Sequence, residues 1–561
     1  MIYSGGFMKK TTAWWEKLGK PQYGGEMVLH SDRNIVNFDP YYDAFITQIF
    51  WTWMESFASG DWTYNPAELD FGRMFLPNQY RKGQLAESWG FTDPTTFVVH
   101  LRQGIHWQDI PPVNGHDFTA DDVAYHYHRL WGLGSGMKPS PDHASVPAYK
   151  TLESVTAIDR YTVVFKWKAA NPEHTIVSLL APNPTQVFEA REAVEKWGDL
   201  SDWHHAIGTG PFILQDFVSG RSATLAKNPN YWGRDERYPY NQLPYVDNVR
   251  FMIIPDHEEA LAAMRAGKID FITPVSMRDA ETMQKTNPEI VRVPIPFPQT
   301  VSVDPRLDKE PFNDIRVRKA MQMAVDLPAI ARGHYHGTAE PYPAALASRG
   351  MKPAGFPYEE WPQDLKDEYA YNPAAARTIL AGAGFPNGFK TNVVADNTGD
   401  MALLGIVKDY LSQVGIDMEI RPMSTADWND YVLIKRQHDQ MAQRAVAAEG
   451  YAFEPIRMLH GIQTGHSMHQ MFNDPVCDSF YPRALAATTL EERLAVYREA
   501  NEYMLRQHFS IFLLQPKSYA LCQPWFKGFY GQWGSVIFPA VLSFDLARFW
   551  IDGKLKKSMG Y

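Results

Sequence analysis

Cysteine is nearly absent: Cys477 and Cys522 are the only two in 561 residues. A disulfide framework and a cysteine-rich metal site are both excluded, leaving one conceivable pairing. No apolar run approaches the roughly 18–20 residues needed to span a bilayer. Positive charge is also in deficit, 54 Lys and Arg against 64 Asp and Glu for a net charge of −10. That balance excludes a dominant basic face of the kind duplex nucleic acid or anionic lipid selects. Behind Lys9 and Lys10 there is no apolar stretch of the secretion-signal kind, and no early cysteine for a lipid anchor. Repeats and low-complexity tracts are missing too. What the chain has in excess is aromatic residues: 17 Trp, 28 Tyr and 31 Phe, or 14%. So many rings suit a protein that encloses a ligand between aromatic walls. The length predicts two or three lobes with substantial cores.

Along the chain, strand and helix patterns alternate. Phe97, Val99 and Leu101 share one face of a strand, and Tyr161, Val163, Phe165 and Trp167 repeat the period of two. Between them Thr119 and Asp122 predict a capped helix start, with Val123, Tyr127 and Leu130 on one stripe. Asp256 with Glu259 opens another helix, which Gly267 stops; Asn372-Pro373 opens a third, ending at Gly382 or Gly384. Thr489 and Glu492 begin a long helix with Leu490, Leu494, Tyr497 and Met504 predicted on its buried side. Such alternation indicates an α/β protein.

Enzymatic motifs do not survive inspection. His257-Glu258-Glu259-Ala260-Leu261 lacks the second histidine of a zinc-protease helix, and no GxSxG elbow occurs. In Gly132-Leu133-Gly134-Ser135-Gly136-Met137-Lys138, Met137 replaces the glycine that a phosphate loop requires, which leaves a glycine turn. His126 and His128 are two apart on a helix and point in different directions, so they do not chelate together. His204-His205 and the pair His334 and His336 fall in expected loops. His460, His466 and His469 form the best metal candidate, yet their spacing equally fits solvated surface histidines. Asp121-Asp122 is explained by helix capping. No catalytic residue, metal site or cofactor is expected.

Five strings, in order, resemble one family. They are Leu85–Trp89 with Val99–Trp107 and Phe118–Val123; Gly208-Thr209-Gly210-Pro211-Phe212 with Lys227–Trp232; Ala266–Asp270; Pro311–Ala320; and Tyr371-Asn372-Pro373 through Ala383-Gly384-Phe385. Together they are similar to the bacterial extracellular solute-binding proteins of family 5, which include oligopeptide-, dipeptide- and nickel-binding proteins of ABC importers. The resemblance covers roughly residues 23 to 550. It implies a periplasmic-binding-protein-like α/β fold with two large lobes plus an extra lobe. Residues 1–22 would be an N-terminal extension. Lobe I would comprise 23–69, 208–295 and 516–561, lobe II 70–207, and lobe III 296–515. The ligand cleft would lie between lobes I and III, which two hinge crossings join.

The resemblance also directs attention to the pocket. Peptide-binding members hold the ligand's ammonium with an acidic residue shortly before a Glu-Pro or Asp-Pro step. Here that step is Glu454-Pro455, and counting back places Tyr451 at the acid's position and Ala448 at that of its preceding tryptophan. Glu449 is the alternative acid, with an exposed turn as its competing role. The expected ligand-binding set is Tyr41, Tyr42 and Phe45 after the Asn37–Pro40 turn, then Trp428, Arg444, Glu449, Tyr451, Phe453, Gln515 and Trp533. Arg444 would meet a carboxylate bidentately, and Trp428 and Trp533 would stack on a ring or sugar. The expectation is a monomeric, non-enzymatic binding protein, periplasmic or at the extracellular cell surface. It would deliver a peptide or other organic solute to ABC permease subunits, with no nucleic-acid partner. The altered acid position favours a neutral or anionic solute over a peptide. A ligand-sensing receptor or chaperone-like protein without a transport role is the alternative, and a hydrolase using the same cleft a more distant one.

Overall fold

The computed structural model describes residues 13–42, 49–66, 68–69, 71, 78–134, 136–141, 151–170, 179–180, 187–296, 300–346, 354–397, 399–443, 455–464, 470–471, 473–487, 489–532 and 546–561. The chain divides into two compact units. One holds the described residues up to Ile295 together with Tyr519–Tyr561, and the other holds Pro296–Ser518. The backbone therefore passes between units at 295/296 and again at 518/519.

The first unit is built on a seven-stranded sheet. Its spatial order is Val291–Pro296, Lys517–Cys522, Phe271–Val275, Glu26–Ser31, Asn248–Ile253, Ser222–Lys227 and Phe212–Val218. Glu26–Ser31 is central and runs parallel to both neighbours. Its consecutive Met27, Val28 and Leu29 are all buried, as expected where both faces of a parallel strand are covered. A separate antiparallel sheet orders Ala86–Asp93, Thr96–Leu101, Thr162–Trp167 and Leu152–Asp159. Phe97 pairs with Phe165 and Val99 with Val163, so the two alternating stripes read from the sequence are cross-strand neighbours on one face. They pack with Tyr127 and Val123 of the helix Ala120–Trp131. That helix starts as its cap predicts, the Thr119 amide donating to Asp122 Oδ2 at 2.7 Å, and ends on left-handed Gly132.

The motif Gly208–Phe212 has a steric cause. The Gly210 amide donates to the Trp53 carbonyl at 2.8 Å. A Cβ on Gly208 would lie 1.9 Å from that carbonyl oxygen, so no larger residue fits. Asn228 Nδ2 donates to the Gly210 carbonyl at 3.0 Å, joining two of the sequence motifs directly.

In the second unit a five-stranded sheet runs Ile416–Met423, Phe389–Asp396, Met441–Gln443, Ser302–Pro305 and Ile511–Phe512. Phe389–Asp396 is parallel to both its neighbours. The long helix Leu490–Arg506 carries the predicted capping box, and Tyr497, Ala500 and Met504 enter a core with Cys477 and Phe480. Leu490, expected on the buried side, is exposed; it is the first helical residue, and the buried stripe is carried by Arg493, Val496 and Tyr497 instead. Both cysteines are free and buried, Cys477 in this unit and Cys522 in the first. Burial pushes both thiols up, away from the reactive thiolate form.

Candidate functional site

Each unit contributes its own candidate surface. In the first unit, the Asn37–Pro40 turn is closed locally: the Asp39 amide donates to Asn37 Oδ1 at 2.7 Å, and the Tyr41 amide to Asp39 Oδ1 at 3.0 Å. The Asp39 carboxylate is completely buried. It accepts both terminal nitrogens of Arg129, at 2.8 and 2.5 Å, and the Leu200 amide at 2.9 Å. Arg129 also donates to Glu189 Oε1 at 3.2 Å, while His126 Nδ1 lies 2.5 Å from Glu189 Oε2. Burial opposes the charge on Arg129, but Asp39 and Glu189 outweigh it and hold the guanidinium firmly protonated. Burial likewise acts to raise Glu189, yet His126 and Arg129 bring its carboxyl below the ordinary range.

This network fixes the first two sequence-predicted contacts. The Arg129 guanidinium sits 4.8 Å from the centre of the Tyr41 ring, and the Tyr41 hydroxyl donates to the Lys138 carbonyl at 2.9 Å. Tyr42 packs edge-on against Tyr41 at 5.0 Å and is 43% exposed. Tyr41 is thus the braced ring and Tyr42 the one open to solvent. The His126–Glu189 pair, although of acid–base type, is enclosed at 0% and 1% exposure and has no access to a substrate.

In the second unit, Asp396 and Gln443 lie at the carboxyl ends of the parallel strands Phe389–Asp396 and Met441–Gln443. In open α/β sheets that edge is where ligands bind. Gln443 is 1% exposed and its Oε1 has no hydrogen-bond partner among the described residues. Asp396 accepts from the Thr425 hydroxyl at 3.0 Å. Trp428, expected as a stacking surface, is fully buried among Val394, Val432 and Ala442, with its indole N–H donating to the Val394 carbonyl; its ring supports the sheet from behind. Gln515 is half-buried, bridges to Glu340 through the backbone, and donates from Nε2 to the Tyr342 carbonyl at 3.1 Å. Phe45, Arg444, Glu449, Tyr451, Phe453 and Trp533 fall outside the described residues, as do His466 and His469. The sequence reading missed Arg129, Asp396 and Gln443. For Arg129 the signal is only its position seven residues after the capping Asp122; for Gln443 it is the polar end of a short apolar strand directly before Arg444.

Residues 81–452 match the family described as bacterial extracellular solute-binding proteins, family 5 Middle. The chain belongs to this family. Among curated relatives of these solute-binding proteins, it is 24% identical over 481 residues to heme-binding protein A of Haemophilus influenzae, covering 80% of this chain and 83% of that one. It is 25% identical over 449 residues to the glutathione-binding protein GsiB of Shigella dysenteriae, covering 76% and 79%. Among solved structures, the substrate-binding protein CtaP of Listeria monocytogenes aligns with a TM-score of 0.73 at 17% identity, covering 94% of this chain and all of that one. The periplasmic binding protein DppA of Helicobacter pylori, solved with the peptide STSA, aligns at 0.69 and 19% over 95% of this chain and 99% of its own. The fold is therefore the α/β fold of periplasmic binding proteins, and the family binds solutes outside the cytoplasm. Among the described residues no helix is long and apolar enough to cross a membrane.

Proposed function

We propose that this solute-binding protein is the non-enzymatic, extracytoplasmic receptor of an ABC importer. It binds a small organic solute, a short peptide or a compound of similar size, by hinge closure and presents it to permease subunits. The observation that carries this reading is the family match over residues 81–452. The two passages of the chain between units, at 295/296 and 518/519, supply the hinge. The three-lobe division, with residues 70–207 as the extra lobe, belongs to the same proposal, and so does a monomeric state. Relatives whose names specify glutathione, and an aligned structure holding a peptide, support a peptide-sized ligand. Tyr42 and Gln443 are the described residues assigned to direct contact, one aromatic and one a polar acceptor.

Native mass spectrometry of the protein as purified, followed by denaturation and identification of what is released, tests the reading. An unmodified peptide or small organic molecule at one per chain supports it. A chemically converted product, or no stabilisation by any member of a screen of peptides, sugars and metal chelates, contradicts it. Ligand at 100 times its Kd stabilises the folded state by ~2.7 kcal/mol, well within reach of a thermal-shift assay.

A further inference from the structure

Away from the rim residues, three donors from separate parts of the first unit converge. His116 precedes the helix Ala120–Trp131, Asp122 lies in its first turn, and Glu192 lies in the first turn of Arg191–Trp197. One donor atom from each falls within 4.8 Å of the other two. His116 Nδ1 lies 2.9 Å from the Asp117 carbonyl. Donation to that carbonyl leaves the Nε2 lone pair as the free ligand position, the arrangement that orients metal-binding histidines. Nε2 is 3.3 Å from Glu192 Oε1, close to the roughly 3.4 Å edge of a tetrahedron with metal–ligand bonds of about 2.1 Å. Yet Nε2 makes no hydrogen bond, and Glu192 Oε2 is likewise buried without one among the described residues.

Charge points the same way. Asp122 and Glu192 receive no Lys or Arg in any ion pair among the described residues, because the nearby cations are engaged elsewhere. Arg191 pairs with Glu195 at 2.6 Å and Arg160 with Asp117 at 2.7 Å. Thr119 satisfies only Oδ2 of Asp122, through its amide and its hydroxyl, so Oδ1 remains for a ligand. Two carboxylates and an imidazole nitrogen facing one another form a donor set suited to a cation.

We propose that His116, Asp122 and Glu192 form a site for a divalent transition metal of the Zn²⁺ type, with water completing a four-coordinate shell. One nitrogen and two carboxylate oxygens suit Zn²⁺. The site ties the starts of two helices together and so braces this part of the first unit. It does not depend on the transport reading, since none of its residues is assigned to solute contact.

The test uses the full chain stripped with a chelator and titrated with Zn²⁺ alone by calorimetry. His116→Ala and Glu192→Gln are the variants of choice, because both side chains are part-exposed, whereas Asp122 caps a helix. Wild-type protein is expected to bind one Zn²⁺ that each variant weakens by more than tenfold, beyond the ~10–100-fold that losing an outer partner costs when both are combined. Retention of the same stoichiometry and affinity in both variants would place the metal elsewhere and overturn the assignment. So would the absence of Zn²⁺ binding to the wild type, in which case His116 and Glu192 form an ion pair only.

Discussion

At the scale of single residues, the buried carboxylates separate into two kinds. Asp39 and Glu189 have Arg129 as counter-charge, but Glu55, only 3% exposed, accepts from neutral donors: the Tyr231 hydroxyl at 2.8 Å and the Trp232 indole at 3.0 Å. Burial pushes its pKa from an ordinary 4.5 up to about 7. Between those values the folded protein keeps a proton that the unfolded chain has released. Its contribution to stability is therefore complete below about pH 4.5 and lost as the pH rises through 7, a swing of ~3 kcal/mol. Glu55→Gln should flatten that part of the pH–stability curve and stabilise the protein at pH 8, as urea unfolding at a series of pH values would show. An unchanged slope would mean that Glu55 is ionised in the fold. The opposite behaviour is expected for Arg129→Met. It strands two buried carboxylates and should cost ~3–5 kcal/mol by the same measurement. It should also weaken solute binding by releasing Tyr41.

Secondary-structure elements were the most legible part of the sequence, because their signals are local. The caps at Thr119, Asp256, Asn372 and Thr489 each rest on residues within three positions, and each accepts or closes as read. Thr489→Ala should therefore cost ~1 kcal/mol in thermal or urea unfolding. Glycine offers a sharper contrast. Gly208→Ala forces a Cβ onto the Trp53 carbonyl and should cost at least the ~1–3 kcal/mol of overpacking. Gly382→Ala meets nothing within 4 Å at the end of its helix and should be neutral or stabilising by up to ~1 kcal/mol. Equal losses in the two variants would refute the steric account of the motif. What resisted reading was everything non-local. Arg129 and Asp39 are 90 residues apart, and Glu192 lies some seventy residues from His116 and Asp122, so no window along the chain displays either cluster. Trp428 shows the complementary failure. An aromatic residue looks the same in sequence whether it walls a pocket or backs a sheet, and only burial among Val394, Val432 and Ala442 decides.

For the whole molecule, composition supported expectations about partners and membrane spans but assigned no function. The fold class and family were legible because several of the five motifs carry backbone constraints in this chain, such as the Gly208 contact and the helix openings. Ligand identity was not, because pocket side chains obey no such constraint, and six of the ten expected ones lie outside the described residues. The proposed function requires the two units, connected at 295/296 and 518/519, to close on a solute. Small-angle scattering from the protein stripped of ligand and then saturated with the molecule it releases tests this most directly. A smaller radius of gyration in the loaded state, returning to the original value on removal, is the predicted result; superimposable profiles for the two states would contradict it.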